Sequence, residues 1–168
     1  ITFAQASPNC DETALGNETP KALCLRLSIE KAKSLKTQFP SHLIIGSDQT
    51  ATFDDIGIIG KPGNFENAKR QLLNASGKCM HFYTGLCVYD SKHDTYTSSI
   101  EAYKAYFREL SELEIEAYLK QEQPFDCAGS FKSEGLGITL FEKLQGDDPN
   151  SLVGLPLIAL SKMLRQKF

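Results

Sequence analysis

Seven side chains of this sequence have the chemistry to handle a charged ligand, and one stands at a telling place. Asp48 lies in the stretch Leu43 to Thr50, LIIGSDQT, where a short apolar run gives way to Gly46, Ser47, Asp48 and Gln49. An unbroken apolar run reads as a strand covered on both faces, so the polar residues at its end emerge at a sheet edge or cleft. A carboxylate placed there can coordinate a cation or activate water. The same residues also suit an Asx turn that caps whatever follows. Lys61, in Gly60-Lys61-Pro62-Gly63, sits where glycine and proline let the backbone approach an anion, although such a turn is common. Lys31 lies among Glu30 and Lys33, either on a solvated helix face or facing a phosphate, and Glu12 belongs to an acidic loop that is a metal ligand set or merely solvated. Between Cys127 and Gly137 the sequence CAGSFKSEGLG places Ser130, Lys132 and Glu134 among glycines, as in a small-molecule pocket or a glycine-rich strand and turn.

Acids at Glu12, Asp48 and Glu134 with bases at Lys31, Lys61 and Lys132 suit attack on a phosphoanhydride assisted by Mg²⁺. The acids would hold the cation or orient water, and the lysines would neutralise phosphate charge. Spacing along the chain leaves open whether they meet. No G-x-x-x-x-G-K-[ST] or G-x-G-x-x-G pattern is present. His42, His81 and His93 share no ligand spacing and read as structural or exposed.

The elements that must position these groups follow from periodicity. Thr19-Pro20 starts a helix whose Leu23, Leu27, Ala32 and Leu35 continue one face toward Phe39 and Pro40. Thr52 to Ile59 resembles a hairpin turning at Asp54 to Gly57. Asn64 caps a helix to about Ala75, with Gly77 beyond its end. His81 to Tyr89 and Thr95 to Phe107 are strands joined by a turn at Asp90 to Asp94. Ser111 to Glu114 is a capping box that opens a helix ending before Pro124. Ile138 to Leu144 reads as a strand, Gln145 to Gly154 as a loop, and Pro156 starts a terminal helix with a basic last turn of Lys162, Arg165 and Lys167. Strands alternating with helices and hairpins argue for one α/β domain with a mixed sheet.

With 168 residues and a net charge of -3, the chain offers no basic field for nucleic-acid polymers, and binding to DNA or RNA is not expected. Its apolar runs fall far short of the ~20 residues a membrane span requires. No signal peptide is visible, so a cytoplasmic location without membrane attachment is expected. The five cysteines lack a C-x-x-C spacing and read as reduced thiols.

Taken together, Ser47-Asp48-Gln49, Gly60-Lys61-Pro62, Glu30-Lys31-Ala32, Asp11-Glu12-Thr13 and Val153-Gly154-Leu155-Pro156 resemble, in order, the Maf family of nucleoside triphosphate pyrophosphatases. The segment Ala128 to Gly137 is similar to the YceF-like branch associated with 7-methyl-GTP, whereas branches acting on dTTP and UTP have glutamine where Glu134 stands. The resemblance implies a mixed twisted sheet flanked by helices, with two lobes around a central cleft as in inosine triphosphatases. It implies hydrolysis between the α and β phosphates, giving monophosphate and pyrophosphate, with a divalent cation (Mg, Mn or Co). On it Asp48 is the general base, Lys31 and Lys61 bind phosphates, Glu12 and Asp48 meet the metal, and Glu134 reads the base, with Ser130 and Lys132 beside it. A carboxylate suits guanine because it can accept from N1–H and the 2-amino group together. A homodimer is compatible with the family. Family members begin with a strand, an S-x-S-x-R-R loop and a helix that this sequence does not contain, so an incomplete copy with impaired turnover, its fold compensated by oligomerisation, is expected. The alternatives are an inosine or xanthosine triphosphate pyrophosphatase and a nucleotide-binding module without turnover.

Overall fold

The computed structural model describes residues 2–166; Lys167, named above, lies outside the described residues. Four strands pair in sequence order: β1 (Leu43–Thr52), β2 (Cys79–Asp90), β3 (Thr95–Phe107) and β4 (Phe141–Gly146). Each neighbouring pair is antiparallel. The described sheet is therefore antiparallel throughout rather than mixed: one hairpin joins its two long central strands, and the helix-containing links to β1 and β4 also return the chain antiparallel. β1 lies at an edge, with Ile45 exposed, so this strand is not covered on both faces as its apolar run suggested.

Helix α1 (Pro20–Ser34) covers one face. Thr19 caps it by accepting from the Ala22 N–H at 3.2 Å, and Pro20 fills the first turn, where a missing N–H costs nothing. Its inner face is small: Cys24, Ser28 and Ala32 lie over Gly46 of β1 and Gly85 of β2. A Cβ on Gly46 would stand 2.2 Å from the Ser28 carbonyl oxygen, and one on Gly85 would stand 2.3 Å from that of Cys24. The helix backbone thus rests directly on the sheet backbone.

The opposite face carries two further groups of helices. Helices α2 (Phe65–Ala75) and α3 (Glu112–Glu122) close the larger core around Leu72, Met80, Phe82, Tyr103 and Leu119. Helices α4 (Pro149–Val153) and α5 (Leu157–Arg165) cover Leu86 and Val88, with Leu160 and Met163 packed inward. Ser111 and Glu114 form the expected capping box on α3. Two segments differ from expectation. Leu136–Leu140 is a 3-10 helix, so β4 starts only at Phe141. Within the expected loop, Asp148 caps α4, accepting from the Asn150 N–H at 2.9 Å.

Candidate active site

Strand alternation divides the work of the S-D-Q residues. Ser47 and Gln49 point to the α4 side, where they fasten β1 to the chain that follows. The Ser47 hydroxyl donates to the Gly154 carbonyl at 2.7 Å, and the Gln49 amide donates to the Ser151 carbonyl at 2.7 Å and to Thr84 Oγ1 at 3.0 Å. Asp148 secures the other end of that segment, since its second oxygen accepts from the Ile158 N–H at 2.6 Å. Asp48 points the other way, toward α1.

There Lys31, in the last turn of α1, donates to Asp48 Oδ1 at 2.6 Å and meets Glu12 Oε1 at 2.9 Å. Gly46 and Gly85 make this reach possible by letting the helix sit close. Asp48 lies mid-strand, opposite Gly85, rather than in a turn after the strand. Burial is the largest influence on its carboxyl and raises it above the usual aspartate range; the Lys31 ammonium opposes this only in part, with a smaller pull from Lys61. For Lys31 burial works against the charged form, but hydrogen bonds to Asp48 and Glu12 outweigh it and hold the ammonium above the ordinary lysine range.

These groups open onto a cavity of about 590 Å³. Its charged wall holds Glu12, Lys31, Asp48 and Lys61, and a second segment contributes Lys132 and Glu134. Phe82 and Phe131 line it as well, and their rings meet edge to face at 5.4 Å. Six of the seven residues singled out above therefore share one cavity. Ser130 does not: it is fully buried, outside the lining, and its hydroxyl donates to Gln71 Oε1 at 2.5 Å. Cys127, which opens the segment read above as pocket-like, lines the cavity, and so does Asp126, which nothing in the sequence marked. Burial pushes the Cys127 thiol up to about 11 and raises that of Cys10 near Lys31, so neither is a thiolate nucleophile at neutral pH.

Among the described residues no group of three or more His, Cys, Asp or Glu could hold a metal ion by itself. Glu12 and Asp48 nevertheless converge on one positive charge, the Lys31 ammonium. Two carboxylates on one cationic centre fit a hard ion such as Mg²⁺, which is commonly held by one or two carboxylates together with water and substrate phosphates. No helix among the described residues is long and apolar enough to cross a membrane.

The family model described as Maf-like protein matches residues 1–167. The chain is 55% identical over 166 residues to the 7-methyl-GTP pyrophosphatase of Colwellia psychrerythraea (strain 34H / ATCC BAA-681), covering 99% of this chain and 82% of that protein. With its sequence matched almost from end to end, the chain belongs to the Maf family.

Proposed function

We propose that this nucleotide pyrophosphatase acts on 7-methyl-GTP, releasing 7-methyl-GMP and pyrophosphate. The observation that carries this reading is the joint opening of Asp48, Lys31, Lys61 and Glu134 onto one cavity, in a chain so similar to a protein of that activity. Lys31 and Lys61 take the phosphate oxygens, exchanging the carboxylate contacts of Lys31 for the substrate. Asp48 accepts the proton of the water that attacks phosphorus. Its raised carboxyl makes it a stronger base than an ordinary aspartate. The bond between phosphorus and the bridging oxygen breaks, and pyrophosphate leaves with the electron pair. Glu12 and Asp48 would hold a divalent cation, which when bound offsets charge on the phosphates. Glu134 accepts from the guanine edge, and its charge attracts the positively charged methylated ring.

The test is pyrophosphate release from a panel of 7-methyl-GTP, GTP, UTP, ITP and XTP, with Mg²⁺ and with chelator. Metal-dependent turnover highest on 7-methyl-GTP is expected. The Glu134→Gln variant should lose preference for 7-methyl-GTP over UTP by about 10-fold to 100-fold, the cost of leaving a polar group mispaired. A variant that kept the wild-type preference would sink the role given to Glu134, and equal rates across the panel would sink the substrate.

A further inference from the structure

Part of the cavity wall comes from two segments without regular structure. One is Gly60 to Gly63, which carries Lys61, and the other is Asp126 to Gly135, which carries Lys132 and Glu134. Loops of this kind are mobile unless held, and a spacing that must match one nucleotide cannot be left to them.

Helix α2 supplies part of the hold, beside the Gly63 N–H that donates to the Phe125 carbonyl at 2.9 Å and the Lys132 N–H that donates to Tyr118 Oη at 3.1 Å. Asn67 and Gln71, one turn apart, bracket Lys61: the Asn67 amide donates to the Pro62 carbonyl at 2.9 Å, and the Gln71 amide donates to the Gly60 carbonyl at 3.0 Å. Gln71 then uses its remaining oxygen on the second loop, accepting from the Ser130 hydroxyl at 2.5 Å. Ser130 is an unusual partner. It is fully buried at φ +62°, directly after Gly129 at φ +79°. A serine in the left-handed region needs its surroundings to keep it there. Here the Ser130 N–H donates to the Cys127 carbonyl at 3.1 Å and the hydroxyl is taken by Gln71. The residues that follow this tight turn are Phe131, Lys132, Ser133 and Glu134.

We propose that Gln71 is a positioning residue that couples the two ends of the cavity. Its N–H sets Lys61 on the phosphate side, and its carbonyl sets Phe131 to Glu134 on the base side through Ser130. The coupling rests on the function proposed above, because only a ligand that reaches both ends at once would need it.

The two bonds can be cut separately. Ser130→Ala removes only the base-side bond. Gln71→Glu still accepts from Ser130 but cannot donate to Gly60, so it removes only the phosphate-side bond. Gln71→Leu removes both. The readouts are kcat on 7-methyl-GTP and the ratio of kcat/KM for 7-methyl-GTP over UTP, with melting temperature alongside. Ser130→Ala should lower the ratio about 10-fold and leave kcat within about 2-fold. Gln71→Glu should lower kcat about 10-fold and leave the ratio within about 2-fold. Gln71→Leu should lose both. A purely structural staple would lower the melting temperature and leave both readouts at wild type, or move both together in all three variants; either result overturns the coupling. Should Gln71→Leu fail to fold, the two conservative variants still decide. Wild-type protein that releases no pyrophosphate from 7-methyl-GTP overturns the proposed function and the coupling with it, whereas normal wild-type turnover with unsplit variants overturns the coupling alone.

Discussion

Replacing Gly46 by alanine should cost this protein more in activity than in stability, and the reason is the distance between two backbones. The added Cβ would lie 2.2 Å from the Ser28 carbonyl oxygen, 2.8 Å from the Ala32 nitrogen and 2.9 Å from the Ala32 Cβ. None of these is the free end of a flexible side chain, so α1 must rise. Bringing the closest contact to an ordinary ~3.4 Å needs a shift of about 1 Å. Lys31 rides on the same helix, and a shift of that size stretches its 2.6 Å bond to Asp48 beyond hydrogen-bonding range. Overpacking of this kind costs about 1–3 kcal/mol, which in a chain of this size lowers the melting temperature by roughly 2–12 °C. A misplacement of about 1 Å at reacting groups lowers turnover about 100-fold. The assay is pyrophosphate release on 7-methyl-GTP beside a thermal melt, with Val88→Ala as comparison, since Val88 packs under α5 on the opposite face of the sheet. At equal loss of melting temperature, Val88→Ala should retain turnover and Gly46→Ala should not. Equal turnover in the two variants would refute the claim that the glycine seat of α1 sets the Lys31–Asp48 contact.

Other outcomes follow from the same geometry. Asp48→Asn should lower kcat by about 100-fold to 10,000-fold, the range for a lost general base, with KM little changed, as steady-state kinetics will show. Because Asp48 acts deprotonated and its carboxyl is raised, kcat/KM should climb with pH along a limb lying above the ordinary aspartate range. In Lys31→Met the opposing ammonium is gone, so the limb of the residual activity should move to still higher pH; an unmoved limb contradicts the pairing. At the capping box, the Ser111 hydroxyl and backbone with Arg108 hold Glu114 down to about 2. A depressed carboxyl contributes stability above its unfolded value and loses it as pH falls toward about 2. Ser111→Ala should therefore lower the melting temperature at neutral pH, by an amount corresponding to about 1 kcal/mol for a lost cap, and the gap to wild type should narrow in acid.

Much of the site was legible because residue type and local order carried it. The lysines at 31 and 61, the acids at 12, 48 and 134, and Lys132 reach one cavity, and the helix starts at Thr19-Pro20, Asn64 and Ser111 fall where their caps put them. What stayed hidden is tertiary. An apolar run such as Leu43 to Ile45 cannot distinguish a strand buried on both faces from one at a sheet edge, since its pairing partner lies elsewhere in the chain. Ser130 looked like a ligand contact because serine among glycines suits a pocket, but its hydroxyl is turned to a glutamine 59 residues away. The α4 start was readable and missed: Asp148-Pro149 repeats the cap-then-proline arrangement of Thr19-Pro20, hidden by the polar residues around it. Ile138 has the character of a strand residue, yet Gly137 packs so closely on Lys132 that the chain turns through a 3-10 helix before it can pair.

The long β2–β3 pairing also bears on how the molecule assembles. Its register runs without a break from Cys79 opposite Tyr106 to Asp90 opposite Thr95, closing over Ser91 to Asp94. A short closure has the smallest entropy cost of any strand pairing in this sheet, whereas β1 must return across α2 to reach β2 and β4 must return across α3 to reach β3. The hairpin is thus the favoured nucleus, and its central amide protons should exchange most slowly. None of the charged groups assigned to the chemistry lies on it. They come from flanking segments that dock later, which leaves those segments free to vary in sequence without disturbing the part of the chain that folds first.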